Sequence, residues 1–116
     1  MRKDDALPLD MLLAARKIQR FVVGMTYQEF AGNELVQSAV MREFQVIGEA
    51  VRLVTEETKR KYAELQWRKI AGMRNRLVHE YFYIQLGIVW QTILDNLPTL
   101  VAQLEQRVPP DLGMLE

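Results

Sequence analysis

Residues 33–55 read NELVQSAVMREFQVIGEAVRLVT, and this stretch decides the fold class. Val36, Val40, Phe44, Ile47, Val51 and Val54 recur at spacings of four and three. On a helix that rhythm lays one apolar stripe along a single face. The spacing predicts a helix over about Asn33 to Thr55, with Asn33 as its N-cap because an asparagine side chain accepts a hydrogen bond from a first-turn amide. A helix so long with one apolar face needs other amphipathic helices to cover it.

The flanking sequence supplies them. Leu12, Ile18 and Val22 mark the buried face of a first helix from about Leu9 to Gly24, with Arg16, Lys17 and Arg20 toward solvent. Pro8 or Asp10 suits its start and Gly24 its end. Thr26 followed by Glu29 has the form of a capping box and predicts a short helical turn over Tyr27–Phe30. Glu56–Tyr62 reads as a short turn or helix with exposed charge. A third helix is expected from about Gln66 to Glu80. A fourth is expected from about Ile84 to Arg107, kinked or locally opened by Pro98. Pro109 and Pro110 end it. No sustained period-two alternation and no Asn-Gly or Asp-Gly turn is present, so strands are not expected. The expected fold is all-α, an antiparallel four-helix bundle with a short extra helical turn. With no linker or repeat, residues 1–116 read as one domain with a core from about 9 to 107.

Composition bounds the function. The chain has 116 residues, is 49% hydrophobic and 26% charged, and carries no cysteine and one histidine. Disulfides and cysteine nucleophiles are excluded, and a transition-metal site within one chain is not expected. No apolar run approaches the roughly 18 residues of a membrane span, and no signal-peptide core follows Met1. A cytoplasmic location is therefore expected.

The formal net charge of zero conceals an asymmetry. Residues 59–79 hold 7 basic side chains and 1 acidic one, a local charge of +6, against −2 before and −4 after. The single histidine, His79, lies in this cationic segment, which directs attention to it as an anion-binding element.

On an ideal helix at about 100° per residue, Trp67, Ile70, Ala71, Leu77, Val78 and Tyr81 share a sector. Arg74 falls in its middle, where a guanidinium needs an anion, hydrogen-bond partners or water. Arg68, Gly72, Asn75 and His79 share the adjacent polar face. Gly72 costs a helix interior roughly 0.8–1 kcal/mol against alanine and makes sense where another backbone or a ligand comes close. Arg74 and His79 lie about 140° apart around a straight helix. Either the helix distorts near His79 or a second copy of the chain completes the site.

Arginine holds a phosphate with two hydrogen bonds and stabilises charge on its oxygens. Histidine exchanges protons near neutral pH. With an amide from Asn75, the set suits metal-free RNA cleavage, in which a 2′-hydroxyl attacks the adjacent phosphate. Structural roles compete at each position. His79 can complement a helix C-terminus, and Arg74 can pair with Glu43 or Glu49. Lys59-Arg60-Lys61 reads as a solvated turn. Trp67, Trp90, Phe44 and Phe82 read as core, and Tyr81 and Tyr83 as amphipathic packing.

The segment from Trp67 to Tyr81, WRKIAGMRNRLVHEY, resembles the HepT-like branch of the HEPN superfamily, whose signature is Arg, four residues, His, one residue, Tyr. Here those are Arg74, His79 and Tyr81. Ile47-Gly48-Glu49-Ala50, Phe30, Val89-Trp90 and Asn96-Leu97-Pro98 followed by Leu100 are also similar, so the resemblance extends from about Leu9 to Leu104. It implies an HEPN-like helical homodimer with Arg and His lining a cleft between protomers, able to form a higher oligomer with its antitoxin. It implies a metal-independent endoribonuclease toxin acting on RNA without a cofactor. Arg74 would stabilise phosphate charge and His79 transfer protons, with Asn75, Arg68 and Arg76 positioning substrate. The resemblance also implies a partner, an MNT-type nucleotidyltransferase antitoxin that adenylylates Tyr81; the nearby Tyr83 is a chemically equivalent acceptor. A different reading makes the chain a non-catalytic nucleotide- or substrate-binding subunit docked on a nucleotidyltransferase, and a third makes it a plain dimerisation module.

Overall fold

In chain order the helices are α1 (Ala6–Val22), α2 (Tyr27–Ala31), α3 (Glu34–Leu53), α4 (Glu56–Lys61), α5 (residues 67–72), α6 (Leu86–Asp95) and α7 (Leu97–Arg107). They come from a computed structural model that describes residues 5–72 and 85–108. All regular structure among the described residues is helical, as the periodicity predicts.

Local chemistry sets most boundaries. Asn33 is extended, and its side-chain oxygen accepts from the Val36 amide at 3.0 Å, opening α3. The expected capping box is present at α2. The Glu29 amide donates to Thr26 Oγ1 at 3.1 Å, and the Thr26 amide donates to Glu29 Oε1 at 2.9 Å. Thr55 caps α4 by accepting from the Thr58 amide at 3.1 Å. Gly24 has φ +75°, the left-handed turn that glycine makes without a Cβ clash.

The structure sharpens two expectations. The first helix begins at Ala6 rather than Leu9 and ends at Val22, before Gly24. Pro8 falls in its first turn, where backbone N–H groups have no intrahelical acceptor, so the missing donor costs little. The fourth helix is opened near Pro98, as expected, and the opening at Asn96 divides it into two helices. Pro98 takes the second position of α7 for the same reason. The expected third helix is described only as far as residue 72.

The core lies along the seam of α1 and α3, with α7 packed on α1 from another side. Met11, Leu12, Ala15 and Ile18 of α1 meet Val40, Phe44, Ile47 and Val51 of α3, all buried. The predicted stripe is buried along its length except at Val36, which is half-buried. Leu97, Leu100 and Leu104 close the core from α7. Phe30 is fully buried and packs against Trp90 with ring centroids 5.2 Å apart. Burying each large apolar side chain contributes roughly 1.5–3 kcal/mol. A surface ion pair such as Arg16–Glu105, at 3.0 Å, contributes about 0–1 kcal/mol. The apolar seam therefore sets the arrangement and the ion pairs trim it.

Candidate functional site

The cationic segment enters α5 through a turn fastened at both sides. Tyr62 is buried, and its hydroxyl donates to Oδ1 of Asp5, itself buried, at 2.7 Å. Lys61 Nζ donates to the same oxygen at 2.9 Å. This ties the end of α4 to the residue preceding α1. Glu64 accepts from Arg107 Nε at 2.7 Å, which ties the same turn to the last residue of α7. That hydrogen bond holds the Glu64 carboxyl below the ordinary glutamate range. The Trp67 indole N–H donates to the Tyr62 carbonyl at 3.1 Å, and the Ile70 amide donates to the Gln66 carbonyl at 2.9 Å. Leu65 and Ile70 are buried in the core. These hydrogen bonds and the burial of Leu65 and Ile70 together fix where α5 starts and which way it faces.

On one side of α5, Arg68 is exposed and lines a concavity of about 600 Å³ with Arg52 of α3, Lys59 of α4 and the face of Trp67. Arg52 is paired with Glu49, which raises its pKa through the hydrogen bond, and Lys59 lies 3.6 Å from Glu56. On the other side, a cleft of about 670 Å³ separates α5 from the α6–α7 junction. Gly72 borders it, and a Cβ built there would meet nothing within 4 Å. The close backbone approach considered for this glycine is therefore not made by any described residue.

Of the residues singled out from sequence, Arg68 is described and is exposed beside Trp67, as the helical wheel requires. Arg74, Asn75, Arg76, His79, Tyr81 and Tyr83 lie outside the described residues, as does Phe82. Phe44 is core; Trp67 and Trp90 are partly buried against it. Lys59-Arg60-Lys61 is the last turn of α4, within the short turn or helix expected over Glu56–Tyr62, and Lys61 is committed to Asp5. Sequence reasoning missed the Asp5–Tyr62 contact, because no periodic signal links residues 57 positions apart. No helix among the described residues is long and apolar enough to cross a membrane.

With this geometry in hand, similarity to known proteins is informative. A family model described as Ribonuclease HepT-like matches residues 11–107. A protein of Caldanaerobacter subterraneus subsp. tengcongensis named "Putative RNase TTE0752" is 36% identical over 85 residues, covering 73% of this chain and 76% of that protein. "Putative RNase MJ0127" of Methanocaldococcus jannaschii is 34% identical over 97 residues, covering 84% and 80%. "Probable ribonuclease HepT" of Thermococcus cleftensis is 31% identical over 97 residues, covering 84% and 88%. No solved structure matches this chain significantly.

Proposed function

The chain belongs to the ribonuclease HepT-like family, and we propose that it is a metal-independent endoribonuclease centred on Arg74 and His79. The observation that carries this reading is the extent of the family match. It runs over 11–107 and so spans the whole Arg-x4-His-x-Tyr pattern at 74–81.

The chemistry follows from the residue types. His79, in its neutral form, takes the proton of an RNA 2′-hydroxyl. The 2′-oxygen attacks the adjacent phosphorus, and the bond to the 5′-oxygen breaks. That leaving oxygen receives a proton from an acid, which in a symmetric dimer is the second His79 in its protonated form. The products are a 2′,3′-cyclic phosphate and a 5′-hydroxyl end. Arg74 offers two parallel N–H donors to the phosphoryl oxygens as charge builds on them. Asn75, Arg76 and the exposed Arg68 hold the flanking strand.

A nucleotidyltransferase partner of the MNT type provides regulation, as toxin and antitoxin. Adenylylation of Tyr81 breaks the α–β phosphate bond of ATP, joins AMP to the phenol oxygen and releases pyrophosphate. It places negative charge and an adenosine two residues from His79, opposing an RNA phosphate by repulsion and by bulk.

The test is cleavage of total RNA by purified protein in EDTA, beside Arg74→Ala and His79→Ala. Cleavage lost in both variants supports the reading. No cleavage by a folded protein whose Tyr81 is unmodified by mass spectrometry refutes it and favours a binding subunit. Sedimentation shows whether the protein is a dimer, the one of the two ways of bringing Arg74 and His79 together that needs a second copy.

A further inference from the structure

The cleft between α5 and the α6–α7 junction combines three kinds of surface. Its floor is apolar: Ile70, Leu97 and Leu100 are buried core residues that reach it. Its walls carry the amides of Gln66, Asn96 and Gln103. None of these three side chains makes a hydrogen bond to a described residue, so each presents its donor pair and its acceptor to whatever enters. Lys69 adds one cation at the edge, with no ion-pair partner among the described residues.

We propose that this cleft binds one nucleotide of the RNA substrate and selects its base. The proposal rests on the ribonuclease reading above and assigns the specificity element of that site. An unstacked base has a flat apolar face and an edge of donors and acceptors, and single-stranded RNA is read through both. The floor takes the face and the amides take the edge. Lys69 meets a phosphate as a compact charge. A purely apolar ligand would leave the amides without partners. A bare anion would gain nothing from the floor and would face Asp95, which shares the lining. The volume of about 670 Å³ lies within the range of small-ligand sites and accommodates a nucleotide with water. Position supports the assignment as well. Gly72 stands on the rim with open space where a Cβ would be, two residues before Arg74 in the chain. The break at Asn96 turns the first turn of α7 into the opposite wall, so Pro98 contributes by keeping α6 from running through.

The test uses the full-length protein and the double variant Gln66→Ala/Gln103→Ala. Neither side chain makes a hydrogen bond to a described residue, so the fold should survive; circular dichroism and the urea midpoint verify that. The four 3′-nucleoside monophosphates are titrated one at a time and followed by amide NMR. Saturable shifts at Gln66, Leu97, Leu100 and Gln103 are expected, with one base favoured. The double variant should bind that nucleotide at least about fivefold more weakly, the usual worth of one neutral hydrogen bond. Its RNA cleavage sites, mapped by sequencing, should lose their base preference while cleavage continues. Shifts confined to other residues, or unchanged affinity and unchanged preference in the variant, overturn the proposal and leave the ribonuclease reading intact. Nucleotide binding at these residues without any RNA cleavage supports the cleft and refutes the ribonuclease reading.

Discussion

Tyr62→Phe isolates the contact that anchors the entry to α5. The substitution removes one oxygen and keeps the ring, so it opens almost no cavity. The lost bond is a buried hydroxyl donating at 2.7 Å to a buried carboxylate. A hydrogen bond to a charged group contributes roughly 1.5–3 kcal/mol. A loss of about 2 kcal/mol is therefore expected, roughly a thirtyfold shift of the folding equilibrium. For a domain of this size, with a urea slope of about 2 kcal/mol/M, the midpoint should fall by about 1 M. Combining Tyr62→Phe with Asp5→Ala in a double-mutant cycle should give a coupling of at least about 1 kcal/mol. Hydrogen exchange should report the largest loss of protection at residues 62–70. A midpoint shift below about 0.3 M with unchanged slope, or additive single variants, would refute the reasoning. It would show that the Asp5–Tyr62 hydrogen bond does not hold the start of α5.

Other expectations follow from the same structure. Gly72→Ala should stabilise the fold by about 0.4–1 kcal/mol, since Gly72 is helical, alanine restricts the unfolded chain and a Cβ there meets nothing within 4 Å; a destabilised variant in thermal melts would mean that something packs there. Thr26→Ala breaks the capping box of α2 and should cost about 1 kcal/mol in urea unfolding. Arg107→Gln should return the Glu64 carboxyl, which Arg107 holds low, toward the ordinary glutamate range in an NMR titration. Because its folded pKa is depressed, Glu64 stabilises the fold above its unfolded pKa, and that contribution disappears as pH falls through the folded value. The ion pair is only partly buried, with the Arg107 side chain about half exposed, so the wild-type acid-stability advantage over Arg107→Gln should be small.

Much of the architecture is legible from periodicity because burial follows a stripe. Val40, Phe44, Ile47 and Val51 are buried where a period of 3.6 puts them. Asn33 and the Thr26–Glu29 pair are legible because capping is local chemistry. The prolines are legible as well, because a proline is tolerated near a helix start: Pro8 lies in the first turn of α1, and Pro98 stands beside the break that divides α6 from α7. The candidate site is legible as a charge segment and a motif, and Arg68 lies exposed as expected. Its support is not legible. The Asp5–Tyr62 and Glu64–Arg107 contacts join residues 57 and 43 positions apart, and pairing at such distances leaves no local pattern.

The packing of α7 on α1 has a consequence for how the protein comes into being. Arg16 and Glu105 are 89 positions apart, and Leu97, Leu100 and Leu104 supply the last of the core. Contacts of such separation form late, after closer ones have been made. On a ribosome, α1 and α3 can associate while later helices are still being synthesised. The side of α1 that α7 covers must wait, as must the Arg107 clasp on the turn before α5. The cationic segment thus leaves the ribosome before the helix that fixes its entry. The nascent chain holds its most highly charged part on an unfinished platform, and the surface awaiting α7 is then the one a chaperone would recognise.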